Sequence, residues 1–290
     1  MGGPIPLAAW EVALSGVLVL LNAALSFRFR LGQGWDWLIA GVRMVAQLSL
    51  MGVVLHFIFR QEALWLTALA AFAMLAFAGR EVMARQARKL PFWQGYGLGT
   101  GAMLFASFVV TILALQTVIR PDPWHAPWVA LPLLGMVMGN TMTGTALTLN
   151  TLTDTFYRDR KVIEARLALG HSFSAATEPA LRHSMRTGLM PIINSMSAAG
   201  LVSLPGMMTG QILAGADVGV ATRYQILIMF LIAGGTGFGV LLAAFGGRWL
   251  MRDGRGRLRL DRLTALNHNG RRTDHKTTVN KRSMKGQKRS

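Results

Sequence analysis

The chain is 290 residues long, 52% hydrophobic and only 15% charged, with a formal net charge of +17 and no cysteine. A soluble domain of this size carries about 25% charged residues, and the mean hydropathy here is positive at +0.39. These values exclude an ordinary soluble domain, and the lack of cysteine excludes disulfides, thiolate metal sites and cysteine redox chemistry.

The apolar residues fall in long runs, and a helix needs about 20 residues to cross a bilayer. Seven runs qualify: Ile5–Phe27, Trp35–Ile58, Ala63–Gly79, Gly97–Ile119, Trp128–Leu149, Leu189–Leu213 and Tyr224–Leu250. The third is the shortest. None alternates like a barrel strand. The expected class is therefore all-α, a polytopic membrane protein with about seven transmembrane helices. The first run is too long, and its start too poor in basic residues, for a cleavable signal peptide.

In chain order, the first run holds Glu11 beside Trp10. The second starts on the interfacial pair Trp35 and Trp37 and carries Arg43 and Gln47 one turn apart. Arg43 is the single charge well inside a run. It reads either as functional or as a long side chain reaching toward headgroups from about two turns inside. Arg80–Lys89 reads as a basic helical extension of the third run. Gly95, Gly97, Gly99 and Gly101 open the fourth and favour close helix approach in lipid. The stretch Arg120–Pro127 is proline-rich and reads as a turn.

Basic residues sort by side. Arg28, Arg30, Arg80, Arg85, Arg88, Lys89, those from Arg158 to Arg186, and all from Arg248 onward share one side; Arg60, Arg120 and Arg223 share the other. This positive-inside bias places the N-terminus outside and the C-terminus in the cytoplasm, and it argues for a membrane rather than nucleic acid as the reason for the charge. The organisation expected is a transmembrane domain over 1–250 with a cytoplasmic loop 151–188, a juxtamembrane segment 251–266, and a disordered basic tail 267–290 attracted to the anionic inner leaflet.

Loop 151–188 contains an amphipathic helix around Lys161–Gly170 and a second helix, expected to be interrupted at Pro179. The fifth run is unusually polar. Between Gly135 and Asn150 it holds Asn140, Thr141, Thr143, Thr145, Thr148 and Asn150. On a helical wheel Asn140, Thr143, Gly144, Leu147 and Thr151 share one side, while Thr145, Met138 and Met142 point away. The sixth run adds Asn194, Ser195 and Ser197, then Pro205 and Gly206, which should break the helix and free backbone groups. Polar groups at that depth border a hydrated route or pack between helices. The candidate substrate pathway is Arg43, Gln47, Asn140, Thr143, Thr148, Asn194, Ser197, Met207, Met208 and Gln211.

No GxxxxGK[ST] occurs, so the chain has no such loop for ATP phosphates; no HExxH or HxxxH pair occurs either. His56, His125, His171 and His183 read as surface residues. The methionines at 136, 138, 142, 196, 207 and 208 read as flexible filling, with soft-metal coordination as the alternative. No metal ligand is assigned.

Glu164–Gly170, "EARLALG", resembles the E-A-A-x-x-x-G cytoplasmic loop of ABC importer permeases, with Arg166 in place of the second alanine. "GNTMTGTALTLN" at Gly139–Asn150, "LPGMMTGQILAG" at Leu204–Gly215, "RYQI" at Arg223–Ile226 and "RMVAQL" at Arg43–Leu48 resemble the FetB-type iron-export permeases of bacterial ABC transporters. Plant aluminium-tolerance membrane proteins are similar. The resemblance covers about Ala8 to Leu250. It implies a non-enzymatic permease subunit in the bacterial inner membrane, homodimeric in that family's manner, which binds no cofactor itself. A separate ABC ATPase subunit would hold ATP and magnesium and dock on Glu164, Ala165 and Gly170. The cargo implied is iron, another metal or an anionic metal complex. Two further alternatives are a nucleotide-sugar permease and an ion-gradient-driven carrier; a non-transporting scaffold is the remaining one.

Overall fold

The computed structural model describes residues 8–89, 91–260 and 264–265. It is almost wholly helical. α1 (Ala9–Arg28) and α2 (Gly34–Gln61) form a hairpin, followed by α3 (Leu64–Ala84). α4 (Phe92–Met103) runs through a π-helical turn at Leu104–Phe108 into α5 (Val109–Ala114) and a second π-helical turn at Leu115–Ile119. Then come α6 (Pro127–Arg158), α7 (Arg160–Ala168), α8 (Phe173–Ala198), α9 (Gly206–Leu213) and α10 (Val218–Leu250). Two-residue strands, β1 (Arg88–Lys89) and β2 (Thr264–Ala265), pair antiparallel. Five helical stretches are long and apolar enough to cross a membrane: Trp10–Arg28, Gly34–Gln61, Leu64–Ala84, Trp93–Ile119 and Val218–Leu250. The expected tail 267–290 and residues 5–7 of the first run lie outside the described residues.

α6 is the centre of the bundle, flanked by α10, α8 and α3. Its helix starts with Pro127 in the first turn, where a missing N–H costs nothing. At 32 residues and 1.5 Å per residue it is about 48 Å long, well beyond the hydrocarbon thickness. One core cluster joins Leu75 and Val82 of α3 and Met103 of α4 to Leu131, Leu134 and Leu149 of α6. A second joins Ala114 and Leu115 to Val137, Ile192, Ile228 and Ile232.

Small residues set the spacing. Along α10, Gly235, Gly239, Ala243 and Gly247 recur every fourth residue and are buried. A Cβ on Gly235 would lie 2.6 Å from Val137 Cγ1, and one on Gly247 2.9 Å from Leu152 Cδ2. α6 therefore rests directly on the α10 backbone, as small-residue stripes allow in lipid. Of the four glycines in α4, Gly95 is buried and Gly99 would bring a Cβ to 3.2 Å of Val82, while Gly97 and Gly101 have nothing within 4 Å.

Charged side chains gather at one end of the bundle. Glu81 sits 3.6 Å from Arg43 and 3.5 Å from Arg85; Asp154 joins Arg88 at 3.6 Å and Arg158 at 2.8 Å; Glu178 joins Arg182 at 2.7 Å and Arg248 at 3.7 Å. This end holds the C-termini of α3, α6 and α10. Arg88 also stacks over the Tyr157 ring at 3.4 Å, and Asn150 accepts from the Ala87 amide at 2.9 Å. These contacts latch the end of α3 to α6. Tyr157→Ala is expected to lower the melting temperature by the equivalent of about 1 kcal/mol, the worth of one such stack. Tyr157→Phe keeps the ring and should melt like the parent in the same thermal scan.

The polar segment 151–188 comprises the last turns of α6, the short α7 and the first half of α8, so a helix is present around Lys161–Gly170 as expected. α8 is not interrupted at Pro179; it runs unbroken through Pro179 and Pro191. Each proline removes one backbone bond, but Ala176, Ala180, Leu181, Ser184 and Gly188 stay buried along one face, and that packing holds the helix. The break expected near Pro205 is present. α8 stops at Ala198, the chain turns over residues 199–205 with Gly200 at φ +84°, and Pro205 leads into α9.

Candidate functional site

The polar residues of α6 divide between two environments. Thr141, Thr145 and Thr148 are fully buried. Thr148 donates to the Gly144 carbonyl at 2.8 Å and packs beside Gly188 of α8. It therefore does not border a route, contrary to the sequence reading. Its hydroxyl is spent within its own helix, and its bulk fills the α6–α8 contact. Thr141 and Thr145 lie against Gly239 of α10. Ser107, Thr111 and Thr236 are buried as well, and with Thr141 and Thr145 their hydroxyls have no hydrogen-bond partner among the described residues. Sequence reading singled out none of Ser107, Thr111 or Thr236. The four-residue repeat of small residues from Gly235 to Gly247 is the signal that would have marked Thr236 as an interior position.

The other side of α6 is open. Asn140 is exposed, and Thr143, Leu147 and Thr151 are half-buried, but Gly144, which the wheel places on the same side, is buried against Thr236 and Gly188. Asn140 Nδ2 donates to the Met136 carbonyl at 2.9 Å and Thr143 to that of Gly139 at 3.1 Å. On α8, Asn194, Ser195 and Ser197 are exposed, with Ser197 donating to the Ile193 carbonyl at 2.9 Å. Met207, Met208 and Gln211 of α9 are half-buried, and Met207 packs on the cluster around Ile192 and Ile228. Amide, hydroxyl and thioether groups are thus present on the α6, α8 and α9 surfaces without a carboxylate among them.

Arg43 and Gln47 are not part of that set. Arg43 turns to Glu81 at the basic end, which fits a side chain drawn toward the polar boundary. Gln47 is exposed on a stretch of α2 that packs little; α2 meets the core through Leu55, Ile58 and Phe59 near its other end. An apolar groove between α4 and α10, lined by Gly97, Gly101, Phe105, Leu241 and Phe245, contains none of the pathway candidates.

α7 presents a distinct surface. Ile163 is 3% exposed and packs with Leu167 on Leu152, Phe156, Ala176 and Ala180. Val162 and Leu169 point outward, 55% and 80% exposed, beside exposed Glu164 and Ala165. Gly170 closes the helix at φ +90°, where its amide bonds Leu167 and that of His171 bonds Arg166. A left-handed C-terminal residue of this kind is the physical need for glycine in "EARLALG".

The model of an uncharacterised protein family, UPF0014, matches residues 9–250. The chain belongs to the UPF0014 family. The UPF0014 membrane protein STAR2 of Oryza sativa subsp. japonica is 34% identical over 244 residues, covering 81% of this chain and 84% of that protein. Protein ALUMINUM SENSITIVE 3 of Arabidopsis thaliana is 34% identical over 218 residues, 75% of this chain and 78% of the relative. The probable iron export permease protein FetB of Escherichia coli is 29% identical over 237 residues, 81% and 88%. No solved structure matches the chain. With its apolar helices, this UPF0014 chain is a multi-pass helical membrane protein.

Proposed function

We propose that this chain is the membrane permease subunit of an ABC transporter, exporting iron or another metal, free or as an anionic complex, with ATP hydrolysed on a separate chain. The observation that carries the reading is α7. It is a short helix anchored by Ile163 and Leu167 that turns Val162, Ala165 and Leu169 outward beside the basic end of the bundle. A soluble ATPase can grip such a helix, and movement of α7 passes directly to α6 and α8 through Phe156 and Ala180. The name of the Escherichia coli relative supplies the cargo class.

In this reading α6 and the α8–α9 pair cross the bilayer along with the five apolar stretches, giving seven crossings. The basic end faces the cytoplasm of a bacterial cell, under the positive-inside rule. Two such chains pair, and the open faces of α6 and α8 border the route. Iron(II) would exchange water for amide and hydroxyl oxygens and thioether sulfur there.

The test is efflux from vesicles that contain the chain and its ATPase, supplied with iron(II) or an anionic iron chelate. Asn140→Leu combined with Thr143→Val is expected to reduce ATP-driven efflux at least about tenfold, as removing a polar lining from a low-dielectric path should. Yield and melting temperature should stay unchanged, since both side chains lie on the open face. Efflux at the parental rate by this double variant removes the pathway assignment.

A further inference from the structure

α4 carries two glycine pairs at four-residue spacing, and they meet different surroundings. Gly95 and Gly99 are buried, and a Cβ on Gly99 would lie 3.2 Å from Val82 of α3. Gly97 and Gly101 are exposed and have nothing within 4 Å. Small residues at this spacing let a second helix come close in lipid. Here they leave an open groove of about 520 Å³ between α4 and α10. The two helices touch where a Cβ on Gly246 would overlap Leu98. Phe105, Leu241 and Phe245 complete the lining, and all three are exposed. Both stretches that hold the groove, Trp93–Ile119 and Val218–Leu250, are long and apolar enough to cross a membrane.

A second hollow, of about 410 Å³, carries the groove on toward the basic end. Gln94, Trp249, Arg252 and Asp253 line it. Gln94 is one turn before Gly97 on α4, and Trp249 one turn after Phe245 on α10, so both hollows follow the same helix faces. From Gln94 to Phe105 is about 16 Å at 1.5 Å per residue. That matches one leaflet of a hydrocarbon core about 30 Å thick. Trp249, 73% exposed, suits the interface at the mouth.

Arg252 is held at this mouth by a tight turn. It pairs with Leu258 across the turn, the Asp253 amide donates to the Arg257 carbonyl at 2.9 Å, and the Arg259 amide donates to that of fully buried Met251 at 3.0 Å. Nearby charges are engaged. Arg248 lies over the Phe245 ring at 5.1 Å and pairs with Glu178 at 3.7 Å, and Asp253 reaches Arg259 at 4.0 Å. Arg252, Arg255 and Arg257 make no ion pair among the described residues. Of these three, only Arg252 lines the hollow.

The charge selects the occupant. A helix of a second copy, related by an axis normal to the membrane, would bring its own Arg252 to the same end, cation toward cation. An anionic lipid meets both halves of the site. Its acyl chain covers the glycines and aromatic rings, and its phosphate takes a charge-assisted bond from Arg252, with Gln94 and the Trp249 indole as neutral donors.

We propose that this groove binds one anionic phospholipid from the leaflet at the basic end, with an acyl chain over Gly97 and Gly101 and the phosphate on Arg252. The site is separate from the candidate pathway and stands whether or not the chain exports metal.

The test is native mass spectrometry of the detergent-purified chain, titrated with phosphatidylglycerol or with phosphatidylcholine of the same acyl chains. Expected is tighter retention of one phosphatidylglycerol per chain. Arg252→Gln should weaken that lipid about fivefold and leave phosphatidylcholine unchanged, while Arg255→Gln, outside the hollow, costs less. Gly101→Leu fills the groove and should abolish retention of both lipids. Gly52→Leu, also with open space around it on exposed α2, should retain lipid like the parent. Equal affinity for the two lipids overturns the site, as do equal losses from the two arginine variants, parental retention by Gly101→Leu, or the same loss from Gly52→Leu. A Gly101→Leu chain that keeps its lipid but loses a dimer assigns the groove to a second copy and also overturns it. Should Gly101→Leu fail to fold, the comparison of Arg252→Gln with Arg255→Gln decides alone.

Discussion

Gly188→Leu is expected to abolish accumulation of the folded chain in membranes. At this crossing α6 and α8 meet backbone to backbone. A Cβ on Gly188 would stand 2.8 Å from the Gly144 carbonyl oxygen and would overlap the Thr148 hydroxyl; a Cβ on Gly144 would stand 3.1 Å from the Gly188 carbonyl and 2.8 Å from Thr236 Cγ2. Most overpacking is relieved by a side chain changing rotamer and costs about 1–3 kcal/mol. A carbonyl oxygen inside a helix has no rotamer to change, so the helices must part along their length. Parting them also uncovers Thr141, Thr145 and Thr236, whose burial depends on α6 staying seated. Gly188→Ala should fall near the upper end of that range and Gly188→Leu beyond it, a large share of the 5–15 kcal/mol that holds a typical fold. Gly97→Ala is the matched comparison, because nothing lies within 4 Å of Gly97; it should melt no lower than the parent. Detergent-extracted yield and melting temperature, read by fluorescence-detected size exclusion, decide the matter. A Gly188→Leu chain with parental yield and melting temperature means the close crossing is not a real constraint.

Much of this fold follows from features that hydropathy and periodicity record. The long apolar helices were legible because a bilayer demands one simple property, and the split of α6 into an open Asn140–Thr143 side and a Thr145 side followed from the 3.6-residue period. The break at Pro205 was legible because proline and glycine act locally. What stayed hidden depended on distant partners. Thr148 looks like Thr143 in sequence; only the arrival of Gly188 on one side makes one a filler and the other a surface residue. Arg43 looks isolated in the middle of an apolar run until α3 places Glu81 beside it. Pro179 looks like a stop until Ala176, Ala180 and Leu181 are seen packed on either side of it. The interior hydroxyls of Ser107 and Thr111 lie four residues apart on one helical stretch and that of Thr236 on α10, and nothing in either neighbourhood links the two.

The second large effect concerns α7. Val162→Asp combined with Leu169→Asp is expected to lower ATP-driven efflux more than about thirtyfold while leaving the permease folded. The two effects separate because the helix has two faces with different tasks. Ile163 and Leu167 hold α7 on Leu152, Phe156 and Ala180, and neither is changed. Val162 and Leu169 contribute little to that packing, at 55% and 80% exposed, so a carboxylate there remains in water and the melting temperature should not move. On a docked ATPase the same carboxylates would be buried without a partner. Exposed apolar anchors at the centre of a contact are each worth about 2 kcal/mol or more, and each 1.4 kcal/mol is a factor of ten in affinity. Ile163→Asp is the opposite control: it buries a charge in the chain itself and should lower stability first and efflux only as a consequence. Pull-down of the ATPase with the purified permease reads the docking directly, and a doubly substituted chain that still retains the ATPase at parental levels removes α7 as the docking helix. Glu164→Lys then asks a narrower question, because it reverses one charge on the outer face without touching either apolar anchor. Weaker retention at low salt that recovers as salt rises would show that the introduced ammonium repels a basic group on the ATPase which the Glu164 carboxylate attracts, since screening of exposed charges acts over about 10 Å at 0.1 M.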